Sequence, residues 1–179
     1  MRGDGGGSSF RGRGPSPPPV RPDDVEAAEA AAVRILRSAA QSAAALQRGL
    51  IRHGFDDATS GRAVAAMAGR GYVNDAALAE SVTRRRIRNG YGTARIAADL
   101  RGRGVDDTTI TETIDAVDAA GEEERALAVA VPLWHTRGDE DARHRRGRVG
   151  AALQRRGYSF AVISSAIRRL EEETVDDAP

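Results

Sequence analysis

Hydrophobic positions in this chain recur as one unit used three times. An apolar residue, Leu four residues later, Gly four after that and then another apolar residue appear as Leu46, Leu50, Gly54, Phe55, again as Ile96, Leu100, Gly104, Val105, and again as Val149, Leu153, Gly157, Tyr158. The Gly-to-Gly spacings are 50 and 53 residues, a period that marks tandem structural repeats. Apolar residues four apart share one face of a helix, and Gly accepts the left-handed conformation that ends one. Each copy is therefore a helix with a fixed stop.

The register resumes beyond each Gly. Val64 and Met67, then Ile110, Ile114 and Val117, then Ile163, Ile167 and Leu170 keep the spacing of a second amphipathic helix. A further helical stretch precedes each copy, at Glu26 to Ala40, Asp75 to Arg88 and Glu122 to His135. The pattern predicts an all-α chain of three tandem three-helix repeats, at 26–71, 72–121 and 122–173, forming an elongated, curved, right-side-stacked helical array. Helices this short are not expected to bury their stripes alone, so stacking of the repeats should supply the core. No segment shows the sustained alternation that marks a strand.

Composition refines this picture. With 40% hydrophobic but only 4% aromatic residues, the core should consist of many small Ala-lined contacts and few large anchors. Trp134 and Phe160 are read as core or repeat-interface residues for that reason. Residues 1–24, rich in Gly, Arg and Pro, carry too little apolar surface to offset the entropy of ordering and are expected to form a flexible tail. Residues 174–179 should form a short acidic tail. The absence of Cys excludes a disulfide framework and a thiolate metal site. No hydrophobic signal region opens the chain, and no apolar run approaches the roughly 20 residues that span a bilayer, so a cytoplasmic protein is expected.

The net charge of +1 hides an alternation of blocks. From Tyr72 to Gly104 there are seven Arg against Asp75, Glu80 and Asp99, whereas Val105 to Glu124 holds eight acids and no base. Two cationic groups stand out at helical spacing: Arg84, Arg85, Arg88, Arg95, Arg101 and Arg103 in the middle repeat, and Arg145, Arg146, Arg148, Arg155 and Arg156 in the third. Together with Tyr91, in a Gly-flanked turn, they form a candidate surface for phosphates or a partner's carboxylates. All 27 basic residues are Arg, so Arg also fills solvated positions that Lys takes elsewhere.

Catalytic chemistry finds little footing. His53, His135 and His144 sit on separate elements without metal-ligand spacing. Asp56-Asp57 and Asp106-Asp107 follow the Gly stops at equivalent positions and read as helix caps. No catalytic residue, cofactor or metal is expected.

The run Arg84-Arg85-Arg86-Ile87-Arg88-Asn89-Gly90-Tyr91-Gly92-Thr93-Ala94-Arg95-Ile96, followed by Leu100 and Gly104-Val105, resembles the central signature of the RecX family. So do Val33-Arg34-Ile35-Leu36, Gly71-Tyr72-Val73-Asn74-Asp75 and Arg156-Gly157-Tyr158. The likeness extends from about Ala30 to Leu170. It implies a non-enzymatic, monomeric modulator, most simply an inhibitor, that lies in the groove of the RecA recombinase filament on DNA and suppresses ATP hydrolysis, strand exchange and co-protease activity. Single- or double-stranded DNA is a further implied contact. The alternative is a direct DNA-binding helical regulator acting without RecA.

Four positions depart from the family pattern. Asn74 replaces the first of two acids and can still cap a helix. Ser42 is followed by Ala45 in place of Glu, which removes half a capping box and should weaken that helix start. Thr93 stands where Pro is frequent and is expected to start its helix through its hydroxyl. Pro132 should kink the first helix of the third repeat or mark a later start.

Overall fold

The computed structural model describes residues 21–136 and 140–176, which form α-helices joined by tight turns, with no strand among them. The first unit comprises α1 (Val25–Ser38), α2 (Ala43–Arg52) and α3 (Asp57–Gly69), and the second α4 (Asp75–Arg88), α5 (Thr93–Gly102) and α6 (Asp107–Asp115). The third comprises α7 (Ala119–His135), α8 (Ala142–Arg155) and α9 (Phe160–Asp176).

Both termini differ from the expected tails. Residues 1–20 lie outside the described chain, but residues 21–24 belong to the first unit. Asp24 caps α1 by accepting from the Ala27 N–H at 2.9 Å, and the Pro22 carbonyl accepts from the Asp56 N–H at 2.9 Å. At the other end, α9 runs through Asp176, into the stretch expected to be an acidic tail.

Each repeated Gly has a positive φ, 98° at Gly54, 80° at Gly104 and 85° at Gly157. The next N–H returns to the Leu four residues before the Gly in all three copies: Phe55 to Leu50 at 3.3 Å, Val105 to Leu100 at 3.2 Å and Tyr158 to Leu153 at 3.2 Å. That bond defines a Schellman stop, which satisfies carbonyls the helix leaves open and turns the following apolar residue inward. Asp56 and Asp106 then cap the next helix through the N–H groups of Thr59 and Thr109, at 2.7 and 2.9 Å. Helix α7 starts at Ala119 and continues past Pro132 to His135. Pro132 therefore marks no late start, and its carbonyl accepts from the Thr136 hydroxyl at 2.6 Å.

The core is organised differently from the stacked core that the pattern suggests. Each unit buries its own cluster: Ala28, Ala32, Leu46, Leu50, Phe55 and Met67 in the first, Ala79, Val82, Ile96, Leu100 and Ile110 in the second, Ala126, Ala130, Trp134, Val149, Leu153 and Leu170 in the third. Small Ala on the first helix lets its neighbours approach, so even short helices enclose Leu and Ile completely. Each such side chain contributes roughly 1.5–3 kcal/mol by leaving water. Trp134 is core, as expected, but Phe160 is 85% exposed and belongs to no cluster. It occupies the first turn of α9, ahead of the stripe that Val162, Ile163, Ala166 and Leu170 turn inward.

What joins the units is polar, and the same joint is made twice. At the first junction the Ser42 hydroxyl donates to the Arg103 carbonyl at 2.6 Å, and Asp75 accepts from the Ala43 N–H at 2.9 Å. At the second, the N–H of Gly92 donates to the Arg156 carbonyl at 2.9 Å, that of Ala94 to the Gly157 carbonyl at 3.3 Å, and Glu122 accepts from the Thr93 N–H at 2.7 Å. The middle helices thus run head to tail, with the carbonyl end of α8 on the amide end of α5 and the carbonyl end of α5 on that of α2. Opposite helix-dipole ends meet, and an acid from the following unit's first helix neutralises each exposed amide end. In place of the acid missing after Ser42, Asp75 serves another open amide of the same turn, that of Ala43, from across the junction. Thr93 needs no hydroxyl cap, because Gly92 is the cap residue and Glu122 supplies the acceptor.

Candidate partner-binding surface

Helix α4 carries its cations on exposed turns because its buried positions are Ala79, Val82 and Thr83. Arg84, Arg85 and Arg88 are exposed. Arg84 makes a solvent-exposed pair with Glu80, one helical turn away at 3.2 Å, and pairs of this kind contribute little. Arg95 on α5 and Arg155 on α8 are also exposed, and Arg101 pairs with exposed Asp107 at 3.2 Å.

Most of the remaining candidates are engaged within the fold, Arg146 being an exposed exception. Tyr91 is half-buried between two guanidinium groups, with Arg86 5.1 Å and Arg156 5.8 Å from its ring centroid. Arg156 also donates to the carbonyls of Asn89 at 3.1 Å and Gly90 at 3.4 Å, lashing the third unit to the turn after α4. Arg103 lies 3.5 Å from Asp99, which Arg86 engages at 2.9 Å. Burial pushes the Asp99 carboxyl up, but the hydrogen bond from Arg86 and the charge of Arg103 outweigh it and hold the group below its ordinary range. Arg145 sits 5.4 Å from the Trp134 ring centroid and donates to the Glu140 carbonyl at 2.9 Å. Arg146 pairs with Glu171. Arg148, only 25% exposed, grips the Glu140 carboxylate through two nitrogens at 3.0 and 2.6 Å and the Leu133 carbonyl at 2.7 Å.

The second junction gathers what sequence distance separates. It brings the C-terminal turns of α4 and α8 to the N-terminus of α5, and these elements carry Arg85, Arg88, Arg95 and Arg155. Two exposed aromatics were not among the candidates drawn from charge: Tyr72, 65% exposed after Gly71, and Phe160. The only sequence signal for Phe160 was its position outside the i, i+3, i+4 stripe of α9.

The candidate site is thus a set of exposed Arg on a series of small helical bundles, and the class the fold defines is a helical-repeat protein. Residues 74–114 match the model for the RecX second three-helix domain, and residues 121–167 the model for the RecX third three-helix domain. The chain belongs to the RecX family. It is 35% identical over 154 residues to the regulatory protein RecX of Mycobacterium leprae (strain Br4923), covering 84% of this chain and 90% of that one. It is 34% identical over 148 residues to the regulatory protein RecX of Mycobacterium avium (strain 104), covering 81% and 85%. Among solved structures, RecX from Lactobacillus salivarius superposes with a TM-score of 0.77 at 19% identity, over 83% of this chain and 97% of that one. A second structure, of a regulatory protein RecX, gives a TM-score of 0.71 at 19% identity, over 78% and 71%. At that identity the superpositions speak for the fold. No helix among the described residues is long and apolar enough to cross a membrane.

Proposed function

We propose that this protein is a cytoplasmic modulator of the RecA recombinase that lies in the groove of the RecA–DNA filament and inhibits ATP hydrolysis, strand exchange and co-protease activity. Membership of the RecX family carries the reading. The architecture supports it physically. Three units joined through head-to-tail middle helices present their surfaces in series, which in this reading touch neighbouring protomers at once, and such bridging opposes the rearrangements that turnover and strand exchange require. Exposed Arg84, Arg85, Arg88, Arg95 and Arg155 meet acidic surface or DNA phosphate, while the acidic stretch of α6 and early α7 meets basic patches. In this reading the chain acts through binding alone and supports DNA repair, recombination and the SOS response by limiting the filament.

The test is the single-stranded-DNA-dependent ATPase of the cognate recombinase, titrated with the full chain and with a version lacking residues 1–20. Progressive loss of ATPase at stoichiometric ratios is expected, relieved as salt rises. Unchanged ATPase, together with no co-sedimentation with recombinase-coated strands at low ionic strength, refutes the reading. Tight sequence-specific gel shifts by the protein alone indicate a direct DNA-binding regulator instead.

A further inference from the structure

Eight residues after Asp24, Asp75 and Glu122 on the first helices, and nine residues after the repeated Gly on the third helices, stand corresponding positions of the three units. On the first helices they are Ala32, Thr83 and Ala130, and on the third helices Ala63, Thr113 and Ala166. In the outer units all four are Ala, each at most 3% exposed. In the middle unit both positions are Thr. Helices α4 and α6 leave between them a cavity of about 450 Å³, lined by Thr83, Thr113, Ile87, Ala116 and Val117.

The two hydroxyls differ. Thr113 donates to the Thr109 carbonyl at 2.7 Å, a bond within its own helix. Thr83 is only 5% exposed, and its hydroxyl has no hydrogen-bond partner among the described residues. A buried hydroxyl without a partner, in the wall of an apolar groove, is a group awaiting a polar atom from a ligand.

The rim fixes the charge of that ligand. Arg84 is paired with Glu80. Arg125 Nη1 and Asp118 Oδ2 lie together, 2.8 and 3.0 Å from where a Cβ on Gly121 would stand. Glu112, also on the rim, is exposed and has no ion pair among the described residues, and the same holds for neighbouring Asp115 on α6. The groove therefore has an excess of negative charge, which disfavours phosphate and favours a cation.

We propose that the α4–α6 groove is a docking site for an apolar peptide segment of a partner protein that bears a basic side chain. Its aliphatic groups fill the space between Ile87 and Val117, a backbone or side-chain polar atom pairs with the Thr83 hydroxyl, and its cation meets Glu112. The inference rests on the reading that this chain acts by binding another protein, and it adds a second, oppositely charged contact to the Arg-bearing face.

The experiment uses the full chain with labelled Thr, Ile and Val methyl groups and two amphipathic helical probe peptides. Both carry the same Leu positions, but one has Arg and the other Glu on the flank. The Arg peptide is expected to shift the methyl resonances of Thr83, Thr113, Ile87 and Val117 and to bind at least tenfold more tightly than the Glu peptide. Thr113→Trp fills the groove and should abolish these shifts. Should that variant fold poorly, the surface change Glu112→Lys keeps the core and should reverse the preference between peptides. Absence of groove shifts, or an unchanged preference in Glu112→Lys, overturns the proposal. Equal groove shifts from a single-stranded oligonucleotide overturn it too. A chain that binds the Arg peptide here yet leaves recombinase ATPase unchanged separates this site from the filament reading.

Discussion

Glu122 accepts a hydrogen bond from the Thr93 N–H at 2.7 Å across a repeat boundary, and it is only 8% exposed. Asp75 does the same for Ala43 at 2.9 Å. In both cases the first helix of one unit completes the amide end of the middle helix in the unit before, so the acids act as inter-repeat caps. Replacing Glu122 with Ala leaves the amide end of α5 without its charged acceptor and should cost about 1–2 kcal/mol. Glu122→Gln, which keeps an acceptor, should recover part of the loss. Hydrogen exchange at the Thr93 amide reports the outcome, and protection as high in Glu122→Ala as in the parent chain would show that the cap contributes nothing.

Gly157 illustrates close approach. A Cβ there would lie 2.4 Å from both the Cβ and the backbone nitrogen of Arg95, and its φ is +85°. Gly71 has a comparable φ of +76°, but a Cβ there would meet nothing within 4 Å. Gly71→Ala should thus cost only the left-handed backbone term of roughly 1–2 kcal/mol. Gly157→Ala should cost that and force the third unit off the second. Urea unfolding of the two variants should differ clearly in midpoint, and equal midpoints would contradict the junction described above.

The Arg residues separate into two groups with opposite expected phenotypes. Charge reversal at Arg85, Arg88 and Arg95 should leave the thermal midpoint nearly unchanged while weakening recombinase suppression about tenfold or more, chiefly through a slower encounter. Arg148→Ala strips Glu140 of its guanidinium and should cost about 1–3 kcal/mol in stability. Thermal melts set beside ATPase titrations distinguish the two, and a reversal variant that suppresses normally removes the α4 face from the interface.

The start of α8 should respond to pH. The hydrogen bond to Asp141, then the charge of that carboxylate, raise the His144 pKa above its ordinary 6.5. The backbone N–H of His144, then its side chain, hold Asp141 below its ordinary 3.8. For a raised His, the stabilisation is fully present below pH 6.5 and is lost as pH climbs through the higher folded value. For the lowered Asp, it is present above 3.8 and is lost as pH falls through the folded value. An NMR titration should place the His144 midpoint above 6.5 and bring it back down in Asp141→Asn. A midpoint indifferent to that substitution would show that the pair does not exist in solution.

Much of this architecture was legible in the linear pattern because helix periodicity and glycine stops are local. Leu50, Leu100 and Leu153 with their Gly partners specify where three helices end, and Asp56 and Asp106 where the next begin, since each acts through atoms a few residues away. Side-chain commitment was not legible. Nothing in the run from Arg84 to Arg95 distinguishes exposed Arg85 from Arg86, which is spent on Asp99 and the Tyr91 ring. The fate of Arg156 depends on carbonyls more than sixty residues earlier.

The sequence alone determined the helices, their stops, the threefold repetition and the family signature, because these follow from interactions within about one turn. Tertiary structure decided that each unit keeps a separate core, that middle helices join end to end through Asp75 and Glu122, and that Thr83 and Thr113 come to line a groove between α4 and α6. These depend on which helix ends and faces meet in space, and a one-dimensional pattern carries no distance between residues that lie a repeat apart.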